Sequence, residues 1–481
     1  MEWLRLSKFA IGSLPTGVLL WGLTIFLLSI KKKSTTTWLL IGYFSVLSIL
    51  LLSYVLRYSI LSRFVFNTGQ LSNLIVFGVV SYLLFAYKFQ ENSHPLESKI
   101  VTVLFLIAAL YIYISIFLRY LVLEKTYDFQ AHYFTYVFGP GISIVTGLGY
   151  FWIIIVFLRK TILVSEYAGP LIPSRQNFLS MNRLTNRLTV AVLKIIRPRG
   201  KRAKSLLSFA LLTFGMFSVS FLYLLMSTRV ISRETYGFLF NAGGLLTTFA
   251  IFIVYTNYTF EPSSFRWKLV GLSLAPIMVI MGIVGSIILS LADTSFDNQR
   301  KLETGQIKSM LSLNGSLKLP LEVSYIASRP KGGGRYSDTY VIEKSQTEGL
   351  EVKDFIESDR IEREKELAKS EEVLFMKNTV FNREQSRTTT QNEIDRLMHP
   401  EMVRRFRYFD LYDTDSFFIH YDFIFGDRLY EIGYSYKWYR TEIHRTAIKL
   451  FYIIIGTTVI IMILFPVLFY RNLFQIDLRI F

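Results

Sequence analysis

The sequence predicts a polytopic α-helical membrane protein, with about nine transmembrane helices and a mixed α/β extracytoplasmic domain between helices 8 and 9. Composition is the first reason, because 52% hydrophobic residues, 16% aromatic residues and a mean hydropathy of +0.37 are too apolar for a soluble chain of 481 residues. The second reason is that the one long polar segment, 293–445, lies between two uncharged apolar runs, 269–292 and 450–469. Each run has the roughly 20 residues that a helix needs to cross a bilayer.

The distribution of charge is the third reason. Residues 293–445 hold 24 Lys and Arg against 27 Asp and Glu, a net charge of −3. The rest of the chain therefore has a net charge of +20, and the two parts together give the total of +17. That positive charge lies between apolar runs, where it orients a membrane protein, whereas a nucleic-acid-binding protein collects it on a soluble domain. We therefore predict a lipid bilayer and no nucleic acid among the partners. The absence of cysteine excludes disulfides, thiolate metal sites and a cysteine nucleophile.

Residues 1–292 are predicted to form a membrane bundle of about eight helices. The first apolar run, 11–30, follows two basic residues as a signal peptide does, but it lacks a small-x-small cleavage site and ends at Lys31-Lys32-Lys33. We therefore interpret it as a retained span. The other spans are predicted at 36–56, 71–87, 100–118, 134–158, 206–226, 236–258 and 269–292, with a kink or close packing at Gly139-Pro140-Gly141 in the fifth.

A second polar region, 159–204, holds eleven basic residues and one acid. Its stretch FLSMNRLTNRLTVAVLKIIR places apolar and basic side chains near different faces of a helix. Two interpretations remain open: a basic amphipathic helix on an anionic membrane surface, or a cytoplasmic loop that only fixes orientation. The basic face that would contact lipid or a partner comprises Arg183, Arg187, Lys194, Arg197, Arg199, Lys201 and Arg202.

Alternation of the spans sets the predicted topology once 159–204 is placed in the cytoplasm. The N-terminus and the domain 293–445 are then outside, the ninth helix is 446–469, and 470–481 is a short cytoplasmic tail. We expect the protein to be a multi-pass protein of the cell (inner) membrane. No internal repeat stands out, which weakens a transporter with inverted repeats.

The polar domain is predicted to end in a sheet. The runs RRFRYFDLYD, SFFIHYDFIF and RLYEIGYSYKWYR alternate in strand-like fashion and are separated by turn residues, so we predict an antiparallel three-stranded meander that leads into the ninth helix. TYVIEK at 339–344 predicts a short strand, 329–336 a flexible loop and 355–376 a charged helix.

Residues that carry out catalysis or bind metals are not grouped in the sequence. The five histidines lack metal-ligand spacing, and His420 is expected to be a half-exposed residue of the sheet. No hydrolase, kinase, phosphate-loop or calcium-loop pattern is present, and the predicted spans carry ionisable residues only near their ends. We therefore predict no catalytic residue, no metal, no cofactor and no enzymatic activity.

The order of parts resembles a group of bacterial multi-pass membrane sensors, in which seven or eight helices precede an extracytoplasmic sensor domain and one more helix. The resemblance extends over nearly the whole chain and is strongest at SKFAIGSLPTGVLLWGLTIFLLSIKKKS, YKFQENSHPLESKIV and RLYEIGYSYKWYRTEIHRTAIK leading into FPVLFYRNLF. It implies a HAMP-type linker followed by a cyclase or a phosphatase acting on phosphoserine. About 15 residues follow Pro466, so we expect that output domain to be missing here.

The expected function is a membrane receptor that passes an extracytoplasmic stimulus inward. Its expected partners are an unknown extracytoplasmic ligand and either a cytoplasmic signalling protein or a second copy of the chain. The residues expected to couple the signal lie around the start of the ninth helix and within it: Tyr436, Tyr439, Arg440 and Pro466. The alternatives are a transporter or channel component with an external lid, and a structural protein of the envelope.

Overall fold

The structure is a computed structural model that describes fifteen stretches of the chain: 4–62, 65, 68–120, 125–129, 132–136, 141–165, 183–227, 230–231, 233–258, 265–312, 322–330, 338–341, 404–408, 414–425 and 428–477. The chain divides into two compact units. The bundle comprises Met1–Ile288 with Ala447–Phe481, and the sheet unit comprises Leu289–Thr446.

Eleven helices lie within the described residues. They are α1 Lys8–Ser29, α2 Thr35–Ser59, α3 Gly69–Ser72, α4 Ile75–Lys88, α5 Pro95–Tyr120, α6 Gly141–Val164, α7 Arg183–Ile196, α8 Lys201–Ser227, α9 Arg233–Tyr258, α10 Phe265–Ser312 and α11 Tyr436–Asp477. Serine hydroxyl groups cap the N-termini of α1 and α2. Ser7 accepts a hydrogen bond from the amide of Ala10 at 3.3 Å, and Ser34 accepts one from the amide of Thr37 at 3.2 Å.

Nine of the helices in the described part of the chain are long and apolar enough to cross a membrane, which is consistent with a membrane protein. These helical stretches are Lys8–Ser29, Thr35–Ser59, Gly69–Lys88, Pro95–Arg119, Gly141–Val164, Lys201–Tyr223, Thr235–Tyr258, Pro276–Ser309 and Tyr436–Ile461. The fifth was predicted to start at 134, which is wrong. A strand occupies Tyr133–Tyr136 and the helix begins only at Gly141.

Six helices of the bundle form a closed ring, because neighbours pack in the order α1, α2, α4, α6, α8, α9 and back to α1. Aromatic side chains fill its interior. Tyr82 stacks on Tyr43 with ring centroids 4.5 Å apart, and Phe209 contacts Phe85 and Phe157 at 5.4 Å each. All five side chains are fully buried. The interior is therefore a packed aromatic core.

The hydroxyl groups inside this core have partners. Tyr82 shares a hydrogen bond of 3.1 Å with Thr213, Tyr43 one of 3.2 Å with Tyr150, and Tyr255 one of 2.8 Å with Thr37. Because a buried hydroxyl without a partner loses stability, these pairs set which helices face one another.

One end of the bundle gathers the segments 88–99, 159–165 and 194–205. Arg159 forms a two-pronged pair with Glu97, at 2.8 Å for each bond, and Gln90 donates to Ser205 at 2.6 Å. The Lys160 ammonium donates to the carbonyls of Ala86, Tyr87 and Phe89 at 3.1, 2.9 and 2.6 Å, and so completes the C-terminal end of α4. Arg159 and Lys160 are therefore part of α6 and bind within the bundle.

In the described part of the sheet unit, five strands follow the order β4-β3-β7-β6-β5, with every neighbouring pair antiparallel. They are β3 Val323–Pro330, β4 Asp338–Val341, β5 Arg405–Tyr408, β6 Phe417–Phe425 and β7 Arg428–Ser435, while the bundle holds a hairpin of β1 Lys125–Asp128 and β2 Tyr133–Tyr136. The predicted meander of three strands is confirmed as β5, β6 and β7.

Other expectations for this region need correction. The third aromatic run stops being a strand at Ser435, and α11 begins at Tyr436. His420 is 1% exposed and not half-exposed, since it lies on β6 with its Nδ1 atom 3.7 Å from the buried carboxylate of Glu431 on β7. The loop predicted at 329–336 is strand as far as Pro330. The charged helix predicted at 355–376 lies outside the described residues.

Candidate functional site

The best-defined charged site of the sheet unit is centred on Arg404, the residue before β5. Its Nε atom donates to Asp297 at 2.8 Å and its Nη2 atom to Asp293 at 2.8 Å. The two carboxylates are four residues apart on α10 and therefore project from the same face. A single guanidinium thus joins the start of a strand to one helix.

Two tyrosine hydroxyls extend this network to other elements. The hydroxyl of Tyr439, on α11, accepts from Arg404 at 2.9 Å and donates to Asp293 at 2.7 Å. The hydroxyl of Tyr421, on β6, donates to Asp297. Four separate parts of the sheet unit, namely α10, the start of β5, β6 and α11, therefore share one set of charge-assisted hydrogen bonds, which we call the Arg404 network.

Electrostatics keep the central cation charged. Burial alone lowers the pKa of Arg404, but Tyr439, Asp293 and Asp297 act in the opposite direction and hold that pKa well above its ordinary value. Burial also raises the pKa of Tyr421, so its phenol stays protonated as a hydrogen-bond donor. The central guanidinium therefore stays charged and the Tyr421 phenol stays a donor across the physiological pH range.

A second arginine, Arg300, lies on α10 about one turn after Asp297. Arg300 is 2% exposed, and its guanidinium carbon lies 4.8 Å from the ring centre of Trp438, 5.2 Å from that of Tyr434 and 5.3 Å from that of Phe296. Glu303 accepts hydrogen bonds from both Arg300 and Tyr434. This aromatic cage is a second link between α10, β7 and the start of α11.

Phe296 connects the two arginines. Its ring lies 5.8 Å from the Arg404 guanidinium carbon and 5.0 Å from the ring of Tyr439. The arrangement contains cations, carboxylates and phenols that are already bound to one another. These contacts can hold the helices and strands of the sheet unit in one arrangement. That arrangement should change when one of the bonded groups is removed.

The predicted coupling residues are placed as follows. Tyr439 belongs to the Arg404 network, Tyr436 is buried against Phe417 with ring centres 6.0 Å apart, and Arg440 is 1% exposed. Pro466 falls within the bounds of α11, and its side chain is outside the described part. Their role in coupling stays a prediction.

The predicted basic face is only partly described. Lys194 donates to the carbonyl of Ile162 at 3.1 Å, Arg202 lies 3.7 Å from Glu91, and Arg197, Arg199 and Lys201 are exposed. Arg183 and Arg187 lie on α7, and their side chains are outside the described part. Lys194 and Arg202 therefore contact other segments of the bundle, whereas the remaining described members face outward.

Sequence analysis missed Arg404, Asp293, Asp297 and Arg300. Asp293 and Asp297 follow an apolar run at helical spacing, and this spacing was the available signal for a shared charged face. Nothing in the sequence pairs that face with an arginine more than a hundred residues later.

Within the described residues no group of histidine, cysteine or carboxylate side chains has the arrangement of a metal site. Comparison with protein-family models, with curated proteins and with solved structures finds no match to this chain.

Proposed function

We propose that this chain is a polytopic membrane receptor that passes an extracytoplasmic stimulus inward through α10 and α11. The observation that carries the proposal is the Arg404 network. One cation, whose side chain is 12% exposed, links a strand of the five-stranded sheet to two helices, and those same two helices supply the apolar stretches Pro276–Ser309 and Tyr436–Ile461.

The proposed mechanism follows from the position of β5. This strand pairs with β6 on one side and comes last in the order of the described strands. A ligand that binds along its other side, or that displaces it, would move Arg404 relative to Asp293 on α10 and Tyr439 on α11. Because a buried ion pair tolerates little separation, the two helices would settle into a second arrangement.

The packing of the bundle favours a receptor over a channel. A channel needs a polar, water-filled path, whereas the ring of six helices is filled by aromatic side chains, and the tyrosine hydroxyls among them are hydrogen-bonded to threonine or to another tyrosine. We therefore propose that the bundle anchors the protein in the membrane and transmits the signal. The chain would then act on a cytoplasmic partner or on a second copy of itself, and not as an enzyme.

The coupling can be tested with a cysteine pair, because the natural chain has no cysteine. The Thr458 hydroxyl, on α11, lies 3.7 Å from the sulfur of Met278, on α10. In full-length protein carrying Met278→Cys and Thr458→Cys, oxidative cross-linking reports how these helices face each other. We expect Arg404→Gln to change the cross-linking rate by about threefold or more. A threefold change corresponds to a shift of under about 1 kcal/mol in the free-energy difference between the two helix arrangements.

The matched control is Arg445→Gln, since Arg445 also lies on α11 but its side chain is 70% exposed and pairs with Glu442, three residues earlier on the same helix. It should leave the rate unchanged. Equal rates in all three proteins would show that the Arg404 network does not influence the helices, and would defeat the proposal. Uptake of a solute by vesicles containing the protein would instead support the transporter alternative.

The proposed topology has its own test. Thr185→Cys should react with a membrane-impermeant maleimide only from the cytoplasmic side, and Asp415→Cys only from the outside. Reaction of both from the same side would contradict the assignment of the sheet unit to the exterior.

A further inference from the structure

The bundle contains a cavity of about 60 Å³ that the proposed function does not use. It is lined by α1, α9 and α10, and its walls are mainly apolar, with contributions from Phe9, Pro15, Leu245 and Met278. A volume of this size holds several water-sized groups, since one such group occupies about 10–15 Å³ on this measure.

The cavity contains an asparagine whose side chain makes no hydrogen bond with any described residue. The Oδ1 atom of Asn241 is buried without a partner, and no described donor or acceptor reaches its Nδ2 atom. Exchanging the oxygen and the nitrogen of the amide leaves the same result. Both the donor and the acceptor of a carboxamide inside an apolar bundle are therefore available to a ligand.

Two hydroxyl groups lie beside this carboxamide. A methyl group at Gly12 would lie 3.3 Å from the Nδ2 atom of Asn241 and 3.5 Å from the Oγ atom of Ser286, so these two polar atoms surround one point. Thr16 donates its hydroxyl to the main-chain carbonyl of Asn241 at 3.2 Å and keeps its oxygen as an acceptor. Gly12 leaves open the space between them.

We propose that this cavity binds the hydroxyl head group of a membrane amphiphile, with the carboxamide of Asn241 as its principal partner. A hydroxyl group both donates and accepts, and so matches the two open ends of the amide. The apolar body would lie against Leu245 and Met278. The residues that follow Leu245 and Val279 in the chain, Leu246 at 54% and Ile280 at 59% exposed, add exposed apolar surface to the same helices. This proposal is independent of the receptor function.

The test uses full-length protein in nanodiscs of phosphatidylcholine, whose head group has no hydroxyl. The probe is an octanol that carries a photoreactive diazirine in its chain, and the reference probe is its methyl ether, which cannot donate. We expect the alcohol to label the peptides containing Leu245 and Met278 at least about tenfold more than the ether, the effect of one lost hydrogen bond at a buried site.

Three variants link the labelling to the cavity. Asn241→Leu removes the carboxamide at similar volume, and Gly12→Val fills the space beside it. Gly282→Ala adds a methyl group at an ordinary 3.5 Å from Pro15, and so narrows the cavity while leaving the fold intact. Each should reduce labelling by the alcohol about fivefold or more. Gly17→Ala is the matched control, because among the described residues its methyl group would meet Leu51, at 3.6 Å, and neither residue lines the cavity.

Competition identifies the source of the hydroxyl group. Monooleoylglycerol in the nanodisc should abolish labelling, whereas 1,6-hexanediol in the buffer should not. Competition by the diol alone would overturn the membrane origin. Equal labelling by the alcohol and the ether, or unchanged labelling in Gly282→Ala, would mean that the cavity holds only water, and the proposal would be wrong.

Discussion

The bundle and the sheet unit bury polar groups in different ways. In the bundle, the described polar side chains bond mainly to neutral partners, such as the Thr213 hydroxyl to the carbonyl of Phe209 and the Lys160 ammonium to three carbonyls. In the sheet unit, Arg404 and Arg300 are held by carboxylates and aromatic rings. The two units should therefore lose stability through different substitutions. Loss of charge pairing should destabilise the sheet unit, and disruption of close neutral packing should destabilise the bundle.

The largest effect should come from removing the central cation of the sheet unit. Arg404→Met leaves the carboxylates of Asp293 and Asp297 partly buried without their counter-ion, which should destabilise the sheet unit by about 3–5 kcal/mol. Hydrogen exchange of the amides in β6 and β7 of the full-length protein measures this loss. Arg445→Met, on an exposed side chain, is the control. Equal protection in both variants would show that the network contributes nothing to stability.

Aromatic positions of the sheet should follow. Tyr434 is fully buried and contacts Arg300, so Tyr434→Asp should destabilise the sheet unit by about 2–4 kcal/mol. The same loss is expected for Phe418→Asp, since Phe418 is 1% exposed. Tyr434→Phe loses only the hydroxyl bond to Glu303 and should reduce stability by about 0.5–1.5 kcal/mol. An Asp variant as stable as the Phe variant would argue against a packed sheet.

In the bundle, loss of the capping cation should have an intermediate effect. Lys160→Met removes the donor of three main-chain carbonyls and should destabilise the bundle by about 1.5–3 kcal/mol, while the packing of the stem is kept. Thermal unfolding in detergent measures the change. Lys88→Met at the exposed end of α4 should unfold at the wild-type temperature. A Lys160 variant that does the same would mean that water replaces the ammonium at no loss.

The last of these predictions concerns close packing between helices. A methyl group at Gly149, on α6, would clash with a methyl carbon of Val79 on α4, so Gly149→Ala should destabilise the bundle by about 1–3 kcal/mol. Gly456→Ala, where nothing lies within 4 Å, should be neutral or stabilising. The same thermal assay compares the two. If the Gly149 variant is as stable as the Gly456 variant, α4 and α6 are not as close as the structure places them.

Much of the helical architecture follows from local sequence. An apolar run of about 20 residues predicts a span-length helix wherever it occurs, because a helix satisfies its own main-chain groups. The end of the third strand was predicted too late because YSYKWY fits both the two-residue period of a strand and the roughly 3.6-residue period of a helix. From Tyr436 onward the buried residues Tyr436, Tyr439, Ile443 and Ala447 recur at helical spacing, and the chain is a helix there.

Long-range pairing is what sequence patterns do not contain. β3 lies between β4 and β7, although a hundred residues separate it from β7 in the chain. Five consecutive residues of β6, Phe417 to Tyr421, are buried, so the sheet is covered on both faces there and His420 is not exposed. The Arg404 network depends on the same kind of distant contact, which is why Tyr439 was predicted as a coupling residue but its arginine was not.

The ammonium of Lys160 also has a consequence for the order of synthesis. The carbonyls that it binds, at the end of α4, precede it by 71 to 74 residues. On a ribosome that adds roughly 5–20 residues per second, the end of α4 waits about 4–15 s for its donor. During that interval α5 is synthesised and leaves the ribosome. The donor that completes the end of α4 therefore comes from α6, which is synthesised after α5, the next helix in the chain.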